Sequence, residues 1–249
     1  MIFVDLFCGI GGFSQAAKNN DHDLFLAVDN DPQVLKVYTK NHAGINTLCS
    51  DIQSEWNEIK KRIPRKVFIH ASPPKRLLSW FLFEMNKGKW SWTLECDYSR
   101  DTLSIFIEKG VKFHVIKCCD YNAPHDSRKI ISSNVFKESP ISNGKISIME
   151  HWSKNCVTPT ANYFCFEKLK RSIKAPCFHV KKTKQTYWCN SNDSKELFTI
   201  RDVARLQTFP EYFDVSGCCM KNVQCATPVS VALLIVSLIK TQTLSLPFS

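Results

Sequence analysis

The stretch Asp5-Leu6-Phe7-Cys8-Gly9-Ile10-Gly11-Gly12-Phe13-Ser14 decides the fold. An apolar run, Ile2-Phe3-Val4, precedes it and reads as a buried strand, and a short helical segment through Ala16 and Ala17 follows. Strand, glycine turn and helix, in that order, are how an open α/β sheet offers backbone N–H groups to a ligand at the carboxyl end of its first strand. The turn glycines permit positive φ and a close approach of backbone to that ligand.

The next two segments repeat this arrangement. Leu24-Phe25-Leu26-Ala27-Val28 reads as a second buried strand ending on Asp29-Asn30-Asp31-Pro32. Pro32 suits a first helical turn with Asp31 as N-cap, and Val34, Leu35, Val37 and Tyr38 carry the helix to about Asn41-His42. An acid at the tip of the second strand, Asp29, is placed to accept hydrogen bonds from ribose hydroxyls. A third strand, Thr47 to Ser50, ends on Asp51-Ile52, where a carboxylate can accept from an adenine amino group while the isoleucine packs on the ring. An acid at a strand end can also be a simple helix cap, but three ligand-competent strand ends in succession point to a nucleoside site.

A chain of 249 residues can bury a full core and suits one α/β domain with a smaller appendage. No apolar run reads as a bilayer span, and Met1 opens directly on the first strand, so a signal peptide is not expected. The 12 cysteines include no C-x-x-C pair, which argues against zinc and for reduced thiols in an intracellular protein. The net charge of +10 favours an anionic partner.

DLFCGIGGFS, AVDNDPQVLKVYTKNH and SDI together resemble the first three motifs of the DNA cytosine-5 methyltransferases. Phe198 to Pro210 (FTIRDVARLQTFP) resembles that family's ninth motif, and the short length is similar to that of members carried by large DNA viruses. The resemblance implies a doubly wound, mostly parallel Rossmann-like sheet binding S-adenosylmethionine. It implies that Phe7 lies on the adenine, that Gly9, Ile10, Gly11 and Gly12 border the methionine part, and that Asp29 and Asn30 serve the ribose end. It further implies Asp51, Ile52 and Pro73 at the cofactor and Glu95 on the target cytosine, with DNA as the main partner and RNA as an alternative.

The middle of the chain departs from the family pattern. Val67 to His70 reads as a fourth strand running into Ala71-Ser72-Pro73-Pro74, after which the family has a nucleophilic cysteine and this chain has Lys75-Arg76. The cysteine matters because C5 of cytosine is a weak nucleophile until a thiolate adds at C6. An ammonium with an ordinary pKa of about 10.4 has no lone pair for that task at neutral pH. Leu77, Leu78, Trp80, Phe81 and Leu82 already read as a helix, so the mobile loop that carries the nucleophile and closes over the base is expected to be missing as well. Cys96 is the nearest alternative thiol and reads as a small buried apolar residue.

Val111 to Cys118 reads as another strand, and Asp120 to Lys129 resembles the eighth motif loosely, with Arg128 and Lys129 as DNA-contact candidates. Gln224-Cys225 stands where the family has Gly-Asn, and a helix from Val229 to Ile239 should close the sheet. Lys168, Lys170, Arg171, Lys174, Lys181, Lys182 and Lys184 form a basic run with nearby aromatic residues, as phosphate binding requires. The expected organisation is a cofactor domain at 1–135 plus 215–249 and a recognition domain at 136–214. Three functions are compatible with this: an enzyme with an unobvious nucleophile, a silent relative that binds DNA or an active partner, or a protein acting on RNA. A monomer is expected when no such partner is bound. If the source is viral, the expected location is the nucleus or cytoplasm of the host.

Overall fold

Side-chain alternation along β1 (Ile2–Leu6) sets the layers. Phe3 joins one apolar cluster, Val4 and Leu6 join another, and Asp5 turns with Phe3 toward α1 (Gly12–Asn19). The computed structural model describes residues 1–121, 123, 127–136, 187–189, 195–197 and 199–243.

The remaining strands of the main sheet are β2 (Asp23–Asp29), β3 (Asn46–Cys49), β4 (Phe68–Ala71), β5 (Ser91–Asp97), β6 (Phe113–Lys117) and β7 (Arg128–Ser133). They lie in the order β3-β2-β1-β4-β5-β7-β6. The first five strands are parallel, and β7 inserts antiparallel between β5 and β6. Strand order reverses at β1, with β2 on one side and β4 on the other, which opens a crevice at the carboxyl ends of the strands. A second sheet pairs β8 (Tyr187–Cys189) with β9 (Lys195–Leu197).

Helices cover both faces of the main sheet. On one face α3 (Trp56–Arg62), α4 (Lys75–Lys87) and α5 (Arg100–Glu108) bury Trp56, Ile59, Leu78, Phe81 and Phe106. On the other, α1 packs with α6 (Ile200–Leu206), α7 (Met220–Gln224) and α8 (Val229–Thr243) around Phe13, Phe209 and Phe213. α2 (Pro32–Asn41) begins as its sequence demands: Pro32 opens it and the Asp31 carboxylate accepts from the Gln33 and Val34 amides.

Two expectations change here. Residues 199–214, assigned to the recognition domain, pack Val203, Ala204, Phe209 and Phe213 into the same cluster as α1 and α8. The stretch Met220–Ile239, which spans α7 and most of α8, is in fact apolar and long enough to cross a membrane, yet it is mostly buried inside this domain, as befits core helices. The basic residues Lys168, Lys170, Arg171, Lys174, Lys181, Lys182 and Lys184 lie outside the described residues.

Candidate functional site

The strand ends converge on a cleft of about 490 Å³, within the usual range for small-molecule sites. Phe7, Gly9, Asp29, Asn30, Asp51, Ile52, Pro73, Lys75, Glu95 and Lys129 all line it, as do Asp5, Ser50, Ser72 and Thr227, which sequence reasoning had not singled out.

At one end, Phe7 holds φ at +55° and meets Phe81 edge-on at 5.7 Å. A non-glycine residue in that region stores roughly 1–3 kcal/mol of strain, which marks sites where geometry serves a purpose other than stability. The Asp29 carboxylate accepts from the Gly9 amide at 2.9 Å and the Asp31 amide at 3.0 Å, tying the glycine turn to the tip of β2. Burial raises its pKa, partly offset by those amides. Asp51 accepts from the Gln53 and Ser54 amides through one oxygen, and these bonds, led by Ser54, lower its pKa.

Three expected cofactor residues stand elsewhere. Ile10 is fully buried in the core. A Cβ on Gly11 would run into the His42 ring, and one on Gly12 into the Thr227 carbonyl, so close packing of the surrounding protein demands a glycine at both positions.

The opposite end is polar. Glu95 is 1% exposed; one oxygen accepts from Thr227 Oγ1 at 2.6 Å and Ser72 Oγ at 3.1 Å, and the other meets Lys129 Nζ at 2.7 Å. Lys129 also reaches Asp97 at 2.7 Å. Burial works against its charge, but the two carboxylates outweigh this and raise its pKa. Expected on a DNA-facing surface, Lys129 is instead buried, because β7 runs antiparallel beside β5 and turns it inward. Its neighbour Arg128 is exposed, near the Tyr98 ring.

Where a nucleophile-bearing loop was expected to be absent, α4 starts at Lys75, directly after Pro74. Lys75 is half exposed and ion-paired with Asp101 of α5. Cys96 is buried, and burial, with Glu95 beside it, raises its thiol pKa well above the ordinary range.

Burial also sets a pH dependence of stability. His70, stacked on Phe13 at 3.7 Å, is pushed down to about 3, and His42 down to about 4, both by desolvation. Asp5 is pushed up to about 7, again chiefly by burial. The histidines make stability rise with pH from about 3 to about 6.5, since the unfolded chain binds the extra protons. Asp5 opposes them, because its native form keeps a proton that the unfolded form loses, so stability falls between about 4 and about 7. Denaturant titrations should show the Asp5→Asn variant gaining stability relative to wild type as pH rises through that window; parallel profiles would refute the assignment.

Against known proteins, residues 1–78 match the family model for C-5 cytosine-specific DNA methylase. The Schizosaccharomyces pombe Dnmt2 methyltransferase structure superposes with a TM-score of 0.61 at 18% identity, covering 99% of this chain and 100% of that one. The Entamoeba histolytica methyltransferase EhMeth gives 0.61 at 15% identity, covering 97% and 98%. The fold is that of the cytosine-5 methyltransferases. A curated relative named as an uncharacterized RNA methyltransferase, NE1857 of Nitrosomonas europaea, is 27% identical over 144 residues, covering 54% of this chain. The chain spans 36% of that relative's length. The likeness is therefore to S-adenosylmethionine-dependent enzymes of the cytosine-5 or Dnmt2 type.

Proposed function

We propose that this chain binds S-adenosylmethionine in the cleft and derives from enzymes that methylate C5 of cytosine in DNA, with that transfer lost or strongly impaired. The observation that carries this reading is the start of α4 at Lys75, directly after Pro73-Pro74, in a cleft lined by Phe7, Asp29, Asp51, Ile52 and Glu95. The donor set suits an adenosine: Phe7, Ile52 and Pro73 are apolar walls, Asp29 and Asp51 are acceptors, and among the described residues no cation pairs with Asp29 and the buried Ser50 hydroxyl has no partner. When bound, the cofactor supplies an electrophilic methyl group. Glu95, held by Thr227, Ser72 and Lys129, is the base-recognition residue of this reading, and Lys75 occupies the nucleophile's place.

A recognition region carrying the basic run from Lys168 to Lys184, together with the exposed Arg128, would contact nucleic-acid phosphates. The named RNA relative favours RNA as a second reading of the substrate. Calorimetry with S-adenosylmethionine tests the cofactor, and a tritium-transfer assay on cytosine-containing DNA and RNA tests turnover. Asp29→Ala is expected to weaken cofactor binding by about 1.5–3 kcal/mol, roughly 10- to 150-fold, as loss of hydrogen bonds to a charged group does. Wild-type protein that binds nothing at millimolar cofactor would refute the reading.

A further inference from the structure

Asp5 is a buried carboxyl on the cleft wall that the proposed function leaves without a role. It is 1% exposed and accepts from Ser14 Oγ at 2.6 Å, while Ser14 in turn bonds Tyr38 at 2.7 Å. The groups around it carry no compensating positive charge. On β2 there is Asp29, on β5 Glu95, and after β1 the buried thiol of Cys8. On β4 the paired residue is His70, which burial keeps neutral. On β7 Lys129 is already shared between Glu95 and Asp97. Lys75 pairs with Asp101, and Arg76 lies at the cleft rim toward Asp51. Among the described residues no cation pairs with Asp5 or Asp29, so in a protein of net charge +10 the inner wall of the cleft is anionic.

On the reading that the cleft holds S-adenosylmethionine, we propose that Asp5 determines specificity for the charge of the cofactor. Its carboxylate favours the sulfonium of S-adenosylmethionine over the uncharged thioether of S-adenosylhomocysteine, so the cleft holds the charged form in preference to the uncharged one. A buried carboxylate lacking a cation is held partly protonated, and a cation entering beside it draws off that proton, because charges in a poorly solvated site interact strongly. Asp5 titrates at about 7 in the free protein, which places the effect in the neutral range.

The test is calorimetry of S-adenosylmethionine and S-adenosylhomocysteine at several pH values between 6 and 8, with wild type, Asp5→Asn and Ser14→Ala. For wild type, the ratio of the S-adenosylhomocysteine Kd to the S-adenosylmethionine Kd should rise on the order of tenfold from pH 6 to pH 8, following the ionised fraction of a group with pKa about 7. Each ligand's own α-amino titration is also present with Asp5→Asn, for which the Asp5-dependent rise should vanish. Ser14→Ala removes a bond that favours the carboxylate, so its rise should move to higher pH while S-adenosylhomocysteine binding at pH 6 reports an intact fold. A flat wild-type ratio, an undiminished rise with Asp5→Asn, or an unmoved midpoint with Ser14→Ala would overturn the role of Asp5. If wild type binds neither ligand, the cofactor reading fails, and this inference with it.

Discussion

Lys129→Met is expected to destabilise the fold by about 3–5 kcal/mol, the usual cost of removing one partner from a buried ion pair. Lys129 and Glu95 are 3% and 1% exposed and 2.7 Å apart, so the variant leaves a carboxylate in the interior with only two hydroxyl donors. Asp97 is largely exposed, and its bond to Lys129 should matter little. With native domains stable by roughly 5–15 kcal/mol, such a loss consumes much of the total. Urea denaturation at pH 7 measures it. Lys129→Met combined with Glu95→Gln should recover most of the loss, since a neutral amide can keep the Ser72 and Thr227 contacts without a buried charge. If Lys129→Met lies within experimental error of wild type, Glu95 is not held as a buried anion, and the account of the polar end of the cleft is wrong.

The second large effect concerns chemistry. Duplex DNA carrying 5-fluorocytosine forms a stable adduct only with a protein whose nucleophile adds at C6 and whose methyl group is then transferred. Mass spectrometry should find no adduct with the unmodified chain, and tritium transfer to cytosine should stay at background. Loss of a covalent nucleophile can cost on the order of a millionfold in turnover. Lys75→Cys alone should restore little: the position is the first of α4, with a side chain that leans to Asp101, and nothing in the adjoining helix can close over a base. A lid that positions the reacting groups can be worth about a hundredfold by itself. Re-inserting a loop with its cysteine between Pro74 and α4 should therefore exceed the point change. Robust C5 methylation by the unmodified chain, with an adduct mapped to Cys96 or any other residue, would show that the site has been misread.

What the sequence determined by itself was local. The glycine turn after β1, the Asp31–Pro32 helix start and the helical pattern directly after Pro74 are each written in neighbouring residues, because turn conformation, capping and apolar periodicity act over a few positions. The order of those signals was enough for a parallel sheet with its cleft at the strand ends. The tertiary structure decided what depends on residues far apart. β7 inserts antiparallel beside β5, and that pairing turns Lys129 from a surface cation into the partner of Glu95, 34 positions away in the chain. Thr227 reaches the same carboxylate across 132 positions, and its carbonyl fills the space beside Gly12, so close packing with a distant segment also demands that glycine. Asp5 stood in the deciding stretch from the start, but its charge state depends on which groups surround it. Desolvation and charge act through space, and only the assembled fold sets Asp29 and Glu95 near Asp5 while directing every nearby cation elsewhere.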